Sequence, residues 1–248
     1  MRLSQELERQ GKWLFRWRSY LPLIVLPILL IALRDSDWLE RAAGDSLGSA
    51  WEILCLAISL MGLAIRFIAV GYAPAGTSGR NAKAQKARIL NTTGMYSIVR
   101  HPLYLGNFII TLGLILFVAV WWFGLLGVLA FWLYYERIMI AEEEFLQREF
   151  GASYAEWAEK TPAILPRFKN WKPPCISFSM RNVLKREYSG FFLIIASFSL
   201  LDIAEDLLTK GQWESNLGWI ALFIVGLMIY ATLRTLKRKT KILDVEGR

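Results

Sequence analysis

Apolar residues along the chain gather into four long runs, Tyr20 to Leu33, Ala50 to Tyr72, Leu103 to Ile140 and Ser189 to Leu233, separated by stretches dense in charge. A helix of about 20 mostly apolar residues spans the hydrocarbon of a bilayer, so each run predicts a membrane helix. Two runs are too long for one helix. The third holds Trp121-Trp122-Phe123-Gly124 at its middle, which predicts a tight turn with interfacial tryptophans. The fourth is interrupted by the polar stretch from Asp202 to Asn216. The pattern predicts an all-α integral membrane protein of about six transmembrane helices, near residues 20–34, 49–72, 102–120, 124–141, 188–203 and 217–234. The first and fifth are short enough to be re-entrant or interfacial instead.

Lysine and arginine follow the same alternation. Five lie in residues 1–19, five in 73–102, nine in 137–188 and six after 233, against two in 34–48 and one in 202–216. Loops facing the cytoplasm hold such an excess, so both termini and the two long polar blocks, Gly71 to Arg100 and Ala141 to Arg186, are expected on the cytoplasmic side. Residues 1–33 resemble a secretory signal peptide in outline. The basic lead is long, however, and no small-x-small cleavage site follows, so an uncleaved anchor is expected.

Composition strengthens this picture: 55% of the 248 residues are hydrophobic and 20% charged, too apolar for an ordinary soluble domain. A formal charge of +8 then reports topology and attraction to anionic headgroups before it suggests a partner, and no nucleic-acid role is expected. Cys55 and Cys175 offer neither a disulfide framework nor a CxxC site, and the lone His101 excludes a histidine-rich metal site.

Candidate chemistry lies at the cytoplasmic ends of the helices. An antiparallel hairpin of helices three and four brings Arg100-His101-Pro102 beside Glu142-Glu143-Glu144. Pro102 suits the first helical position, which leaves Arg100 and His101 at the positive helix end. Opposed cations and carboxylates suit a zwitterionic small molecule, or equally an interfacial salt bridge that anchors the hairpin. Glu144 is set aside because Arg148 lies one helical turn on. Glu52 and Arg66 are costly inside a membrane, so they are expected to face each other or a substrate cleft. The segment Ala73-Pro-Ala-Gly-Thr77-Ser78-Gly-Arg80-Asn81 has the glycines, hydroxyls and guanidinium of an anion cradle, or of a plain cytoplasmic turn.

Two motifs carry a family resemblance. Gly94-Met-Tyr96-Ser-Ile-Val-Arg100-His101-Pro102-Leu-Tyr104-Leu-Gly106 resembles the GxYxxxRHPxYxG signature of the isoprenylcysteine carboxyl methyltransferase and phospholipid methyltransferase superfamily. Glu142-Glu143-x-x-Leu146, Phe150-Gly151-x-x-Tyr154 and Pro162 to Pro166 resemble its second pattern, so the match covers residues 90–168. The resemblance implies an integral membrane methyltransferase using S-adenosylmethionine, without a Rossmann domain. It implies that His101, Tyr104, Glu142 and Glu143 hold the cofactor, within a motif that includes Gly94 and Tyr96. Arg100 would bind the cofactor carboxylate or an anionic acceptor. Trp157 stands where the family commonly has a second tyrosine.

Acceptors within that superfamily include prenylated protein tails, amine headgroups and lipid phosphates. The basic cytoplasmic face favours an anionic oxygen, so the expected acceptor is a membrane lipid phosphate of phospholipid or lipid A type in a bacterial inner membrane. Arg66, Thr77, Ser78, Arg80 and Asn81 are its candidate contacts. Carboxyl methylation of a prenylated substrate, or N-methylation of an amine headgroup, is the alternative reaction. A sterol-reductase-like enzyme and a non-catalytic scaffold or transporter are the alternative classes, and no inverted repeat supports transport. Residues 1–186 are expected to form the methyltransferase core, and residues 187–248 an added helical hairpin with a basic tail. Gly218 and Gly226 in that hairpin suit close helix packing, within the bundle or across a homodimer.

Overall fold

The computed structural model describes residues 3–17, 20–36, 44–77, 87–214 and 216–247. Its helices are α1 (Leu3–Trp17), α2 (Leu26–Ala32), α3 (Asp45–Gly71), α4 (Met95–Ile98), α5 (Pro102–Phe117), α6 (Trp121–Phe150), α7 (Ala152–Lys160), α8 (Met180–Thr209) and α9 (Leu217–Lys239), with no strand among the described residues. Three stretches, Ser46–Gly71 of α3, the whole of α6 and the whole of α9, are long and apolar enough to cross a membrane, and α5 is a shorter apolar helix.

The first expected span, residues 20–34, is not one helix. Pro22 and Pro27 each fall at the start of a helical turn, where a missing N–H is tolerated, and they divide the run into 3-10 turns at Leu21–Val25 and Leu33–Asp35 around the seven-residue α2. Seven residues do not span a bilayer. Ala32 and Leu33 are instead fully buried in the core. The basic lead is itself a helix. In α1, Leu7, Gly11, Leu14 and Phe15 recur at helical spacing and form its inward face, while Trp13 and Trp17 remain exposed. Gly11 lies directly against the Arg137 carbonyl of α6, where a Cβ would have no room. Arg148, expected to pair with Glu144, reaches Glu8 of α1 at 2.7 Å. The Glu8 carboxyl also meets Lys12 at 2.7 Å.

The expected turn between helices three and four lies three residues earlier than predicted. Val118 to Val120 make it, with Ala119 at φ 54, and Trp121 already begins α6. Val118 and Val120 are buried, so the turn packs inward, while Trp121 is 80% exposed. The fifth expected helix is longer than predicted and is not among the three stretches apolar enough to cross a membrane: α8 begins at Met180, capped by the Ser179 side chain, and runs 30 residues to Thr209.

The core forms where α3, α5, α8 and α9 converge. Phe198 and Trp219 stack at 5.7 Å, and Phe117 meets both edge-on. The most extensive helix contact is between α3 and α5. A Cβ on Gly62 would stand 2.6 Å from the Gly106 carbonyl oxygen, and one on Gly113 would meet the Cys55 carbonyl oxygen at 2.5 Å. Small residues here let the backbones approach and polar side chains reach across. Ser59 Oγ donates to the Ile110 carbonyl at 2.8 Å, and Trp51 Nε1 donates to the Leu116 carbonyl at 2.9 Å. Glu52 does not pair with Arg66; it accepts from Trp219 Nε1 at 3.0 Å. The two residues are 14 positions apart on one straight helix, or about 21 Å at 1.5 Å per residue, beyond side-chain reach.

Gly62→Ala should destabilise the protein by about 1–3 kcal/mol, because the two nearest atoms in the way are backbone and cannot give. Gly127→Ala meets only the flexible end of Ile115 and should be neutral or slightly stabilising; thermal unfolding in detergent compares them. Arg148 and then Lys12 hold the Glu8 carboxyl down at about 2. A depressed carboxyl stabilises above its unfolded value, so the docking of α1 should persist through neutral pH and weaken between about pH 4.5 and about 2. Hydrogen exchange along α1 at these pH values checks this, and high salt should weaken the docking as well.

Candidate active site

Local structure at the open end of the α5–α6 hairpin begins with Gly94. Its φ of 58 is one that side-chain-bearing residues rarely adopt, and a Cβ would also stand 3.3 Å from Pro174. Its N–H donates to the Lys172 carbonyl at 2.9 Å, so this glycine shapes the turn into α4 and its backbone donor is committed. After α4 the chain extends through Val99 and turns at His101, and Pro102 occupies the first position of α5 as expected.

The second motif supports the first. Arg100 N–H donates to the Pro162 carbonyl at 2.9 Å, His101 N–H to Ala163 at 3.3 Å, and Arg167 N–H to Ile98 at 2.9 Å. Trp157 of α7 donates from Nε1 to the Tyr96 carbonyl at 3.0 Å. The indole at this position thus ties α7 to the segment that carries Tyr96. Ser97 accepts from Lys172 N–H at 2.9 Å, closing the same seam. Backbone bonding of this density fixes the Arg100-His101 pair before any ligand arrives.

The opposed charges meet as the hairpin requires. Arg100 Nη1 lies 3.0 Å from Glu143 Oε2, His101 Nε2 lies 2.9 Å from Glu143 Oε1, and His101 Nδ1 lies 3.8 Å from Glu142 Oε2. His101 is buried, and the Tyr104 ring stacks on it at 5.5 Å. Tyr154 of the second motif packs against the same carboxylate: burial and then the Glu143 charge push its phenol above the usual range. Neither the Tyr154 hydroxyl nor Arg100 Nε, both buried, finds a hydrogen bond of good geometry. Burial, followed by the charge of Glu142, likewise raises the Tyr96 phenol, with Arg186 and Arg66 acting the other way.

Arg66 stands deeper in the bundle. Its Nε and Nη2 bind Glu187 of α8 at 2.9 and 2.8 Å, and its Nη1 donates to Asn107 Oδ1 at 2.6 Å. Asn107 Nδ2 in turn donates to the Tyr135 hydroxyl at 3.0 Å, and the Tyr135 ring lies 5.1 Å from that of Tyr104. A continuous line of side chains thus joins Arg66 to His101. Sequence reasoning missed Asn107, Tyr135, Tyr154 as a site residue, and Glu187. The signal for the first two was a polar group on each of two apolar helices, which implies an internal partner. Thr77 closes its own turn, with Oγ1 donating to the Pro74 carbonyl at 2.7 Å, as a plain turn would. Ser78, Arg80 and Asn81 lie outside the described residues.

Comparison with known proteins adds to this geometry. Residues 52–153 match the phospholipid methyltransferase family, and they contain Arg66, Arg100, His101, Tyr104 and both glutamates. A protein-S-isoprenylcysteine O-methyltransferase of Schizosaccharomyces pombe is 35% identical over 34% of this chain and 36% of its own length. Both matches support the isoprenylcysteine carboxyl methyltransferase and phospholipid methyltransferase superfamily that the two motifs resemble, over less than half of the chain. Two further proteins are similar over a longer stretch. The nickel-cobalt-cadmium resistance protein NccN of Alcaligenes xylosoxydans xylosoxydans is 29% identical over 58% of this chain and 62% of its own. The cobalt-zinc-cadmium resistance protein CzcN of Cupriavidus metallidurans is 29% identical over 59% and 68%. These matches thus span from about a third to about two thirds of the relatives' lengths. No solved structure matches. No group of three or more His, Cys, Asp or Glu among the described residues could hold a metal ion.

Glu143 is the shared partner of Arg100 and His101, so Glu143→Ala should cost about 1–3 kcal/mol of stability by leaving a part-buried guanidinium unpaired. Trp157→Phe removes one hydrogen bond and should cost about 1 kcal/mol. Thermal unfolding measures both, and Glu143→Ala should show the larger loss.

Proposed function

We propose that the protein transfers a methyl group from S-adenosylmethionine to an anionic oxygen of a membrane-embedded lipid at the cytoplasmic face of a bacterial inner membrane. The observation that carries this reading is the cluster of Arg100 and His101 against Glu142 and Glu143, built from both family motifs. Its chemistry fits the cofactor: two buried donors without an acceptor of good geometry, Arg100 Nε and Tyr154 Oη, suit a carboxylate, while Glu142 and Glu143 suit an ammonium and ribose hydroxyls. When bound, the cofactor supplies a methyl group on a sulfonium. Tyr104 and Tyr96 would wall that site, and His101, stacked on Tyr104, would hold Glu143 in place.

An anionic oxygen needs no general base. His101 has one ring nitrogen on Glu143 and the other near Glu142, so it is not positioned to take a proton from an ammonium acceptor. Catalysis then rests on positioning, with the residues of both motifs holding donor and acceptor in line. A lipid phosphate of phospholipid or lipid A type is the acceptor we favour. Methylation of a prenylated carboxylate is the second reading, and the match to the isoprenylcysteine O-methyltransferase favours it.

Radioactive methyl transfer from S-adenosylmethionine into total lipid extract, and into an S-farnesylcysteine added in parallel, tests the reading with purified protein. Label that mild base does not release as methanol is expected from the wild type, and Glu142→Ala should lose about 90% or more of transfer through weaker cofactor binding. Label in the farnesylcysteine alone would establish the second reading. Absence of S-adenosylhomocysteine binding by the wild type would overturn both.

A further inference from the structure

The loop after α7 exposes large apolar side chains beside cations. Leu165 is 80% exposed, Phe168 75% and Trp171 48%, and Arg167, Lys169 and Lys172 among them are exposed as well. From Thr161 to Arg186 the chain carries six lysines and arginines and no aspartate or glutamate. The backbone here is firmly tied. Carbonyls of Pro162 and Ala163 accept from Arg100 and His101, Arg167 N–H donates to Ile98, and Lys172 accepts from Gly94 and donates to Ser97 Oγ, at 2.9 to 3.3 Å. The fold therefore holds these apolar groups outward, and a cluster of such groups marks an interaction surface.

The level of this loop follows from the α5–α6 hairpin. Apolar sequence begins on α5 at Pro102, whereas charge enters α6 at Glu136 and Arg137 and dominates from Glu142. His101 Nδ1 lies 3.8 Å from Glu142 Oε2, so the two changes of polarity meet. The headgroup layer on this side then covers Glu136 to Glu142, about 9 Å along the helix. Ala163, bonded to His101, places the loop at the same level. A second marker is α1. Its Gly11 packs on Arg137 and Ala141, and its exposed residues Trp13 and Trp17 stand among the exposed Arg9 and Arg16. Aromatic rings and cations together suit a membrane surface, where one side is apolar and the other charged.

We infer that the loop of residues 164–172 docks in the headgroup layer of an anionic bilayer, with Leu165, Phe168 and Trp171 inserted among the lipids and Arg167, Lys169 and Lys172 on the headgroup charges. Charge decides the occupant. A stretch of cations without a carboxylate matches a surface of negative headgroups, and the apolar side chains between them match the acyl chains beneath. Docking also sets the height of Arg100 and His101, whose N–H groups this loop binds. The inference concerns lipid contact and does not depend on methyl transfer.

A polarity-sensitive nitrobenzoxadiazole dye on Phe168→Cys tests this in the full chain, one copy per nanodisc of phosphatidylcholine and phosphatidylglycerol. Cys175→Ser removes the exposed thiol, and Cys55 is fully buried. Emission should be shifted to the blue, quenched by lipids carrying a nitroxide near the headgroup, and protected from aqueous iodide. Nitroxide-labelled phosphatidylglycerol should quench about two- to fivefold more than labelled phosphatidylcholine at equal mole fraction. Arg167→Gln with Lys169→Gln and Lys172→Gln should bring that ratio to about one. Quenching by iodide and not by lipid would show a solvated loop and overturn the docking. Protection from both quenchers would reveal a protein cover in place of lipid, which sinks the inference equally. Equal quenching by the two labelled lipids with the cations intact would remove its anionic part and leave an apolar anchor.

Discussion

A guanidinium carried on an apolar helix is the constraint around which this bundle is arranged. Arg66 belongs to a helix apolar enough to cross a membrane, where an unpaired charge costs several kcal/mol. Its partners come from two other helices, Glu187 on α8 and Asn107 on α5, and Asn107 passes the connection to Tyr135 on α6. The side chain reaches them by crossing Gly106, where a Cβ would stand 2.5 Å from Arg66 Cγ. The same glycine faces Gly62, so the most extensive helix contact and the buried polar network depend on one another. A larger residue at either position would separate α3 from α5 and pull Arg66 away from its partners.

The candidate site inherits its order from that arrangement. Tyr104 lies one turn before Asn107 on α5, and its ring touches both His101 and Tyr135. On the other side, backbone bonds from Pro162, Ala163 and Lys172 hold the segment that carries Gly94 and Arg100. Opposed charges are thus fixed by two independent scaffolds, the helix bundle and the loop after α7. Arg100 Nε and Tyr154 Oη, two buried donors without a partner of good geometry, lie between these scaffolds, and a donor left so is costly until a ligand supplies its acceptor. Preorganisation of this kind is what a reaction governed by positioning requires.

Much of this was legible along the chain, because helix formation and burial are local questions of period and polarity. The α5–α6 hairpin was legible from a long apolar run, Pro102 as a helix start from its missing donor, and the meeting of Arg100 and His101 with Glu142 and Glu143 from antiparallel geometry. The break at residues 20–34 was also written there, in Pro22 and Pro27, but apolar composition hid it. The turn fell at Val118 to Val120 because two buried valines packed inward outweighed the turn propensity of Gly124. The amphipathic face of α1 was present in Leu7, Gly11, Leu14 and Phe15, yet its partner α6 lies more than a hundred residues away.

What the sequence by itself determined is therefore the helical class, the apolar segments and the two motif halves with their opposed charges, since each follows from residues near one another or from a simple hairpin. Only the tertiary structure decided that Arg66 pairs with Glu187 rather than Glu52, that Arg148 reaches α1 rather than Glu144, and that Asn107 and Tyr135 join the site to the bundle. The reason is physical: a charge in an apolar environment must find a partner, but which partner is set by the crossing of helices distant in sequence. That crossing depends on small side chains at Gly62 and Gly106, whose contribution is the absence of a group and leaves no signal in charge or period.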